Sequence, residues 1–115
     1  MVFIPSEIVV FDEKDFLGNQ RRFNVDIVNL DWYTMDVLPS SGTRTSWNNQ
    51  ILSVIVISGT WQFFPHDNYR GTPNKQVKPG TYSRVDIREF DILPGSISSF
   101  KVIDYNPQGD GFVWL

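Results

Sequence analysis

The 115-residue chain contains no cysteine, which excludes disulfide bonds, thiolate metal ligands and a cysteine nucleophile. It has a single histidine, His66, so a zinc site built from several imidazoles is excluded as well. Basic residues are scattered and the net charge is −3, which argues against nucleic acid as a partner. No apolar run approaches the ~20 residues that a membrane span requires. We therefore expect a water-soluble protein that binds neither nucleic acid nor a membrane.

We expect the N-terminal stretch not to be a secretory signal peptide, although the mature form of a secreted protein can begin this way. MVFIPSEIVVF has no basic segment and carries Glu7 inside its apolar stretch, unlike a secretory signal peptide. The lack of cysteine suits a reducing compartment. Both observations favour a cytoplasmic location over a secreted one.

Short runs of β-branched and aromatic residues are plentiful, and Gly, Pro, Asn, Asp and Ser separate them. The runs are EIVVFDE, QRRFNVDIV, ILSVIVI, GTWQFFPH, NKQVKPG and ISSFKVI. This pattern predicts an all-β sandwich or barrel. The best helix candidate, VDIVNLDWYTMDVL, is rich in β-branched residues and lacks caps, so we expect no long helix. The length is that of one domain, residues 1–115.

The chain repeats an aromatic-x4-aromatic-x-Gly spacing in its two halves. The copies are Phe11, Phe16 and Gly18, and Phe64, Tyr69 and Gly71. This spacing suits a hairpin folded over its sheet, with two rings against the fold and a glycine at positive φ. Each half then closes with a similar strand, NNQILSVIV and PGSISSFKV. We expect two units, about 6–57 and 58–103, to share one core, followed by a C-terminal extension, 104–115.

The segments FDEKDFLG and FPHDNYRG resemble the Y/F-x-x-x-x-Y/F-x-G signature of the βγ-crystallin superfamily. SGTWQFFPHDNYRG, KPGTYSRV and ISSFKVI resemble the second Greek key of its microbial single-domain members, archaeal and fungal. The resemblance covers roughly residues 7–103. It implies a sandwich of two Greek-key motifs in two four-stranded antiparallel sheets, with one strand of each motif exchanged into the other sheet. It also implies a non-enzymatic, structural or stress-related protein.

Microbial members of this family commonly bind calcium through the pattern (N/D)(N/D)-x-x-(S/T)-S, joined to the first hairpin of the other motif. In PGSISS, the resemblance makes Ser98 the hydroxyl ligand and Ser96 a carbonyl ligand, with Asp12 and Glu13 offered by the partner hairpin. Proline and glycine replace the two Asn/Asp residues there. Oxygen ligands suit a hard cation. We expect a weak Ca²⁺ site at this place or none.

In NNQILS the resemblance implies the second site, with Asn48 and Gln50 at ligand positions and His66 in the partner hairpin. Leu52 stands where the hydroxyl ligand is expected, so we expect this site to be degenerate. Each predicted site therefore lacks one group of ligands, the Asn/Asp pair in the first and the hydroxyl in the second. One alternative is a genuine calcium-binding member stabilised by the ion. A second is a crystallin-fold proteinase inhibitor or toxin, which the lack of disulfides disfavours.

Two further features bear on function. His66-Asp67 is half of a catalytic triad, but adjacent hairpin residues point apart and no serine elbow accompanies them, so we expect no enzyme.

The extension ends in Phe112, Val113, Trp114 and Leu115, an apolar end that invites association. We expect it either to pack on the domain or to meet a partner subunit, which makes the protein a monomer or a weak homodimer.

Overall fold

A computed structural model describes residues 2–4, 6–35, 45–104 and 111–113, with the side chains of 6–34 and 46–103. These ranges hold ten strands: β1 Val2–Ile4, β2 Ile8–Phe11, β3 Gln20–Phe23, β4 Thr34–Met35, β5 Thr45–Ser46, β6 Ser53–Val56, β7 Thr60–Phe64, β8 Gly80–Tyr82, β9 Ser99–Asp104 and β10 Gly111–Val113. Two short 3-10 turns accompany them, Lys14–Phe16 and Leu30–Trp32. All strand pairings are antiparallel, which confirms the predicted all-β class.

The main sheet has four strands in the order β3-β2-β6-β8. Its central pair, β2 and β6, places Val10 opposite Val54, and both side chains are fully buried. Strand β8 belongs to the second half of the chain but pairs with β6 of the first half. The halves are therefore joined by a shared sheet.

The second sheet differs from the predicted four-stranded one. It consists of β7 and β9, flanked by single bridges from Ile27 to Phe100 and from Val77 to Trp61. In the segment before β8, the Asn74 N–H donates to the Phe63 carbonyl at 3.1 Å, but the Phe63 N–H donates to the Asn74 side-chain Oδ1 at 2.8 Å instead of to a backbone carbonyl. Prolines within TPNKQVKPG lack N–H donors, which limits regular pairing there as well.

The core lies between these sheets and is dominated by rings. Phe100 of β9 is fully buried and contacts the rings of Phe23, Trp61 and Phe63, with centroids 5.2 to 5.7 Å apart. The Trp61 indole N–H donates to the Ser58 carbonyl at 2.8 Å, so its polar atom is satisfied inside the core. Residues from both halves thus build one core, as the repeat predicts.

The two ends of the described chain also meet. Strand β10 pairs with β1, with Phe112 opposite Phe3. Residues 105–110 and 114–115 lie outside the described residues, and with them most of the extension predicted to pack on the domain or on a partner. In the part of the chain that is described, no helix is long and apolar enough to cross a bilayer.

Candidate metal site

Two folded hairpins mark the corners of the molecule, one in each half. Gly18 and Gly71 have φ of +78° and +88°, as the predicted hairpin requires. The paired rings contact each other edge to face, Phe11 with Phe16 at 5.6 Å and Phe64 with Tyr69 at 5.7 Å. The aromatic-x4-aromatic-x-Gly residues are therefore structural parts of each hairpin.

Ser99, the second serine of the ISSF segment, fastens the second hairpin to β9. Its Oγ donates to the His66 carbonyl at 2.7 Å and accepts from the Tyr69 N–H at 3.1 Å. Burial, and then the negative charge of Asp26, raises the pKa of the Tyr69 phenol, so this ring stays neutral at the corner. Ser99 is fully buried, and its hydroxyl holds the fold together.

Ser53 makes the matching pair of bonds in the first half. Its Oγ donates to the Glu13 carbonyl at 2.6 Å and accepts from the Phe16 N–H at 3.1 Å. Ser53 and Ser99 make equivalent hydrogen bonds, each to the hairpin of its own half. The last serine of the (S/T)-S pattern therefore has a structural role in both halves. The residue before it, Leu52 or Ser98, is the one free to differ.

A cleft of about 480 Å³ opens beside Ser98. The second hairpin forms one wall, and the others are formed by the loop ahead of β6, the loop ahead of β9 and the segment at the Leu30–Trp32 turn. Its lining residues are Asn29, Asp31, Asn48, Asn49, Pro65, His66, Asp67, Gly95, Ser96 and Ser98. Nearly all of them carry oxygen or nitrogen, so the cleft is polar.

Asn48, one of the residues that line the cleft, has a side-chain oxygen without a hydrogen-bond donor among the described residues. Asn48 Oδ1 is buried and has no hydrogen-bond partner in the described part of the chain. Nearby, the Ser98 Oγ donates to Asn49 Oδ1 at 3.2 Å, which joins the loop of the first half to that of the second. A buried acceptor left unpaired costs about 1–3 kcal/mol, so such atoms ordinarily meet a water or an ion.

Two carboxylates add negative charge to the cleft. Asp31 accepts a hydrogen bond from the Ser46 hydroxyl at 2.8 Å, and Asp67 forms an ion pair with Arg70. Asn29 Oδ1 caps the Leu30–Trp32 turn by accepting from the Asp31 N–H at 2.9 Å, which fixes this wall. The arrangement suits a small, hard cation that prefers carboxylate, amide and hydroxyl oxygens.

The structure groups the sequence-predicted residues differently from the two sets inferred above. Ser96 and Ser98 lie with Asn48 and His66 in one cleft, whereas Asp12 is on the other hairpin. There the Asp12 carboxylate accepts from the Asn19 backbone N–H at 2.7 Å and from its side-chain amide at 2.9 Å.

The remaining residues of the two predicted sets do not line this cleft. The Glu13 side chain lies over Gly18, and Gln50 is exposed. Sequence reasoning missed Asn29 and Asp31, which do line the cleft. Their segment, NLDW, matches no motif from which a ligand role could have been predicted.

The family model for Beta/Gamma crystallin matches residues 7–103, and the chain therefore belongs to the βγ-crystallin family. A βγ-crystallin from an archaeon is 29% identical, with a TM-score of 0.68 over 86% of this chain and 99% of that one. The Ca²⁺-bound domain of Abundant Perithecial Protein from Neurospora crassa is 19% identical, with a TM-score of 0.54 over 92% and 97% of the two chains.

One human relative is far longer. Beta/gamma crystallin domain-containing protein 1 of Homo sapiens is 32% identical over 69 residues, which is 60% of this chain. The match spans only 3% of the length of that protein. The shared part is therefore a domain.

Proposed function

We propose that this βγ-crystallin binds one calcium ion in the cleft between Asn48 and Ser98 and that the ion stabilises the fold. The observation that carries the proposal is the buried, unpaired Oδ1 of Asn48, because Asn48 and Ser98 line the same cleft. This is the alternative role named from the sequence, and it replaces the degenerate scaffold as the preferred one. The regrouping is the reason, because the intact Asn-Asn pair and the intact hydroxyl lie together.

The donor set determines the expected strength of binding. Ca²⁺ takes six to eight oxygens, and its affinity follows ligand charge and number. Asn48 and Ser98 would supply neutral oxygens and Asp31 or Asp67 a carboxylate, with backbone carbonyls and water completing the shell. Since Asp67 is already paired with Arg70, we expect a dissociation constant in the range of about 10⁻⁴ M.

Two further observations support the proposal. Asn49 has a left-handed backbone, φ +61°, and its N–H donates to the Ile97 carbonyl at 2.9 Å, so the loop is held in place without the ion. The Neurospora relative was solved with Ca²⁺, so a fold of this kind can hold the ion. We extend the proposal to a non-enzymatic structural role, with catalysis absent from the His66-Asp67 pair because Asp67 is engaged by Arg70.

Calorimetric titration with CaCl₂ tests the proposal. We expect one ion per chain for the parent protein, and a melting temperature higher in millimolar Ca²⁺ than in EDTA. Native-state binding raises stability by RT ln(1 + [L]/Kd), or about 1.4 kcal/mol at tenfold excess over Kd. No binding heat together with equal melting temperatures would return the protein to the degenerate scaffold.

A matched pair of hydroxyl deletions locates the ion. Ser98→Ala should weaken binding about tenfold or more, because it removes a proposed ligand. Ser96→Ala is the control, since the Ser96 Oγ donates to the Leu93 carbonyl outside the proposed shell. Equal affinity in both variants would place the ion elsewhere.

A further inference from the structure

Matched backbone bonds relate the two corners residue by residue. At the cleft the bonds are Ser98 N to Phe64 O at 2.9 Å, Leu30 N to Ser98 O at 2.9 Å and Asn68 N to Val28 O at 2.8 Å. At the other corner they are Leu52 N to Phe11 O at 2.9 Å, Val85 N to Leu52 O at 3.1 Å and Asp15 N to Ser83 O at 2.9 Å. Leu52 is thus the counterpart of Ser98, and Val85 of Leu30.

The same correspondence identifies the other counterparts of the cleft residues. Arg84, between Ser83 and Val85, takes the place of Asn29, and Asp86 takes the place of Asp31. Pro94, four residues before Ser98, corresponds to Asn48, four residues before Leu52. The corner that contains the first hairpin, called the second corner from here on, therefore has a guanidinium where the cleft has an amide.

Arg84 and Asp86 form a two-pronged pair. Arg84 Nε donates to Asp86 Oδ1 at 3.0 Å, and Nη2 donates to Oδ2 at 2.9 Å. These hydrogen bonds lower the pKa of the Asp86 carboxyl and raise the pKa of Arg84, and the charges of Lys14 and Asp15 act in the same directions. The second corner thus has a guanidinium paired with Asp86 where the cleft has Asn29 and Asp31.

We propose that the Arg84 guanidinium is an internal cation that takes the place of a metal ion at the second corner. It neutralises Asp86 with directed hydrogen bonds, and its positive charge repels a divalent ion. Leu52 and Pro94 offer no side-chain oxygen there. The chain therefore has one corner that takes a metal and one that does not need it. This contrast between the two corners rests on the proposed function of the cleft. Ca²⁺ binding at a rebuilt second corner can be measured whether or not the cleft binds calcium.

The test rebuilds the second corner and counts Ca²⁺ ions by calorimetry. The rebuilt variant carries Leu52→Ser, Arg84→Asn and Pro94→Asn, and its control carries only Leu52→Ser and Pro94→Asn. Both are made in a Ser98→Ala background, which weakens the cleft. We expect the rebuilt variant to bind one additional ion and the control to gain none. A gain in the control, or no gain in a folded rebuilt variant, would overturn the proposal.

This design separates the two proposals. If the parent protein binds no calcium but the rebuilt variant does, the cleft proposal fails and the role of Arg84 stands. Single substitutions at the exposed Arg84 avoid any folding defect of the rebuilt variant. Arg84→Asp should add a second, weaker binding event, whereas Arg84→Lys keeps the positive charge and should add none. Identical titrations of these two folded variants would contradict the internal-cation role.

Discussion

Asn49 and Gly95 occupy matching loop positions in the two halves, with φ of +61° and +73°. The left-handed backbone suits glycine and is tolerated by asparagine, so either residue meets the needs of the fold. Only Asn49, however, offers a side-chain oxygen to the cleft, where it accepts from Ser98. The difference teaches that the conformation of this loop and its capacity to bind a ligand are separate requirements.

The serine pairs lead to the same conclusion. Ser53 and Ser99 are both fully buried and both fasten a hairpin. The residues before them have diverged to Leu52 and Ser98, one apolar and one polar. The two corners therefore share the serine that fastens the hairpin and differ in the residue before it.

Among matched substitutions in the two halves, those in the core should differ most in their effect on the free energy of unfolding. Phe100 and Val54 are counterparts, each following its hairpin serine, and both are fully buried. Phe100→Ala should lower the free energy of unfolding by about 3–5 kcal/mol, and Val54→Ala by about 2 kcal/mol, because the ring leaves the larger cavity. Urea denaturation measures both, with the exposed Leu93→Ala as control. Equal losses for Phe100 and Val54 would show that the two halves contribute equally to the core.

The hairpin glycines should give the next effect. A Cβ on Gly71 would come within 2.7 Å of the Pro65 ring, and one on Gly18 would collide with the Asp12 carboxylate. Gly71→Ala should therefore cost about 2–3 kcal/mol through both strain and contact. Gly95→Ala is the matched control, because φ is also positive but the nearest atom, Asn49 O, is 3.6 Å away. If the control loses as much as Gly71→Ala in urea denaturation, the contact with the proline ring is unimportant.

Much of the fold could be predicted because its signals are local. The aromatic-x4-aromatic-x-Gly spacing fixes both hairpins within eight residues, and Gly18 and Gly71 have the positive φ it requires. The number of strands in the second sheet could not be predicted. Whether the Phe63 N–H donates to a backbone carbonyl or to the Asn74 side chain depends on how the chain packs between them.

The grouping of the site residues could not be predicted for a related reason. Spacing within a motif indicates which residues can be ligands, but it does not say which copy of the motif each one meets. Ser98 and Asn49 lie 49 residues apart, and only the packing of the two halves brings them within hydrogen-bond distance. Asn29 and Asp31 reach the cleft through the Leu30–Trp32 turn, and its counterpart in the other half, residues 84–86, shares only the aspartate, which is too little to mark the repeat in the sequence.

The two hairpin serines should be equivalent in stability although their neighbours differ in function. Ser99→Ala leaves the Tyr69 N–H and the His66 carbonyl without their partner, and Ser53→Ala does the same to Phe16 and Glu13. We expect each to cost about 1–2 kcal/mol in thermal unfolding in EDTA. Ser98→Ala, measured alongside, should cost less. A Ser98→Ala loss as large as the other two would assign Ser98 to the fold as well.

The smallest effect concerns acid sensitivity, and it distinguishes the corners by charge. Hydrogen bonds from Arg84 lower the pKa of Asp86 below its usual 3.8, so the folded state favours the carboxylate. The stability that this carboxylate contributes is fully present above pH 3.8, and it is lost as the pH falls through the lowered pKa of Asp86. Asp86→Asn should therefore reduce the melting temperature slightly at pH 7 in EDTA, and by less at pH 2.

Asp31→Asn is the matched control for the acid test. Asp31 is the counterpart of Asp86 and accepts a hydrogen bond from Ser46, but among the described residues it has no ion pair. Because Asp31 lacks an ion pair in the described part of the chain, Asp31→Asn in EDTA should lower the melting temperature at pH 7 by less than Asp86→Asn does. Because Arg84 and Asp86 are exposed, high salt should also reduce the Asp86→Asn effect by screening the pair. An Asp86→Asn effect that persists unchanged at pH 2 would show that Arg84 does not act at this corner through its charge.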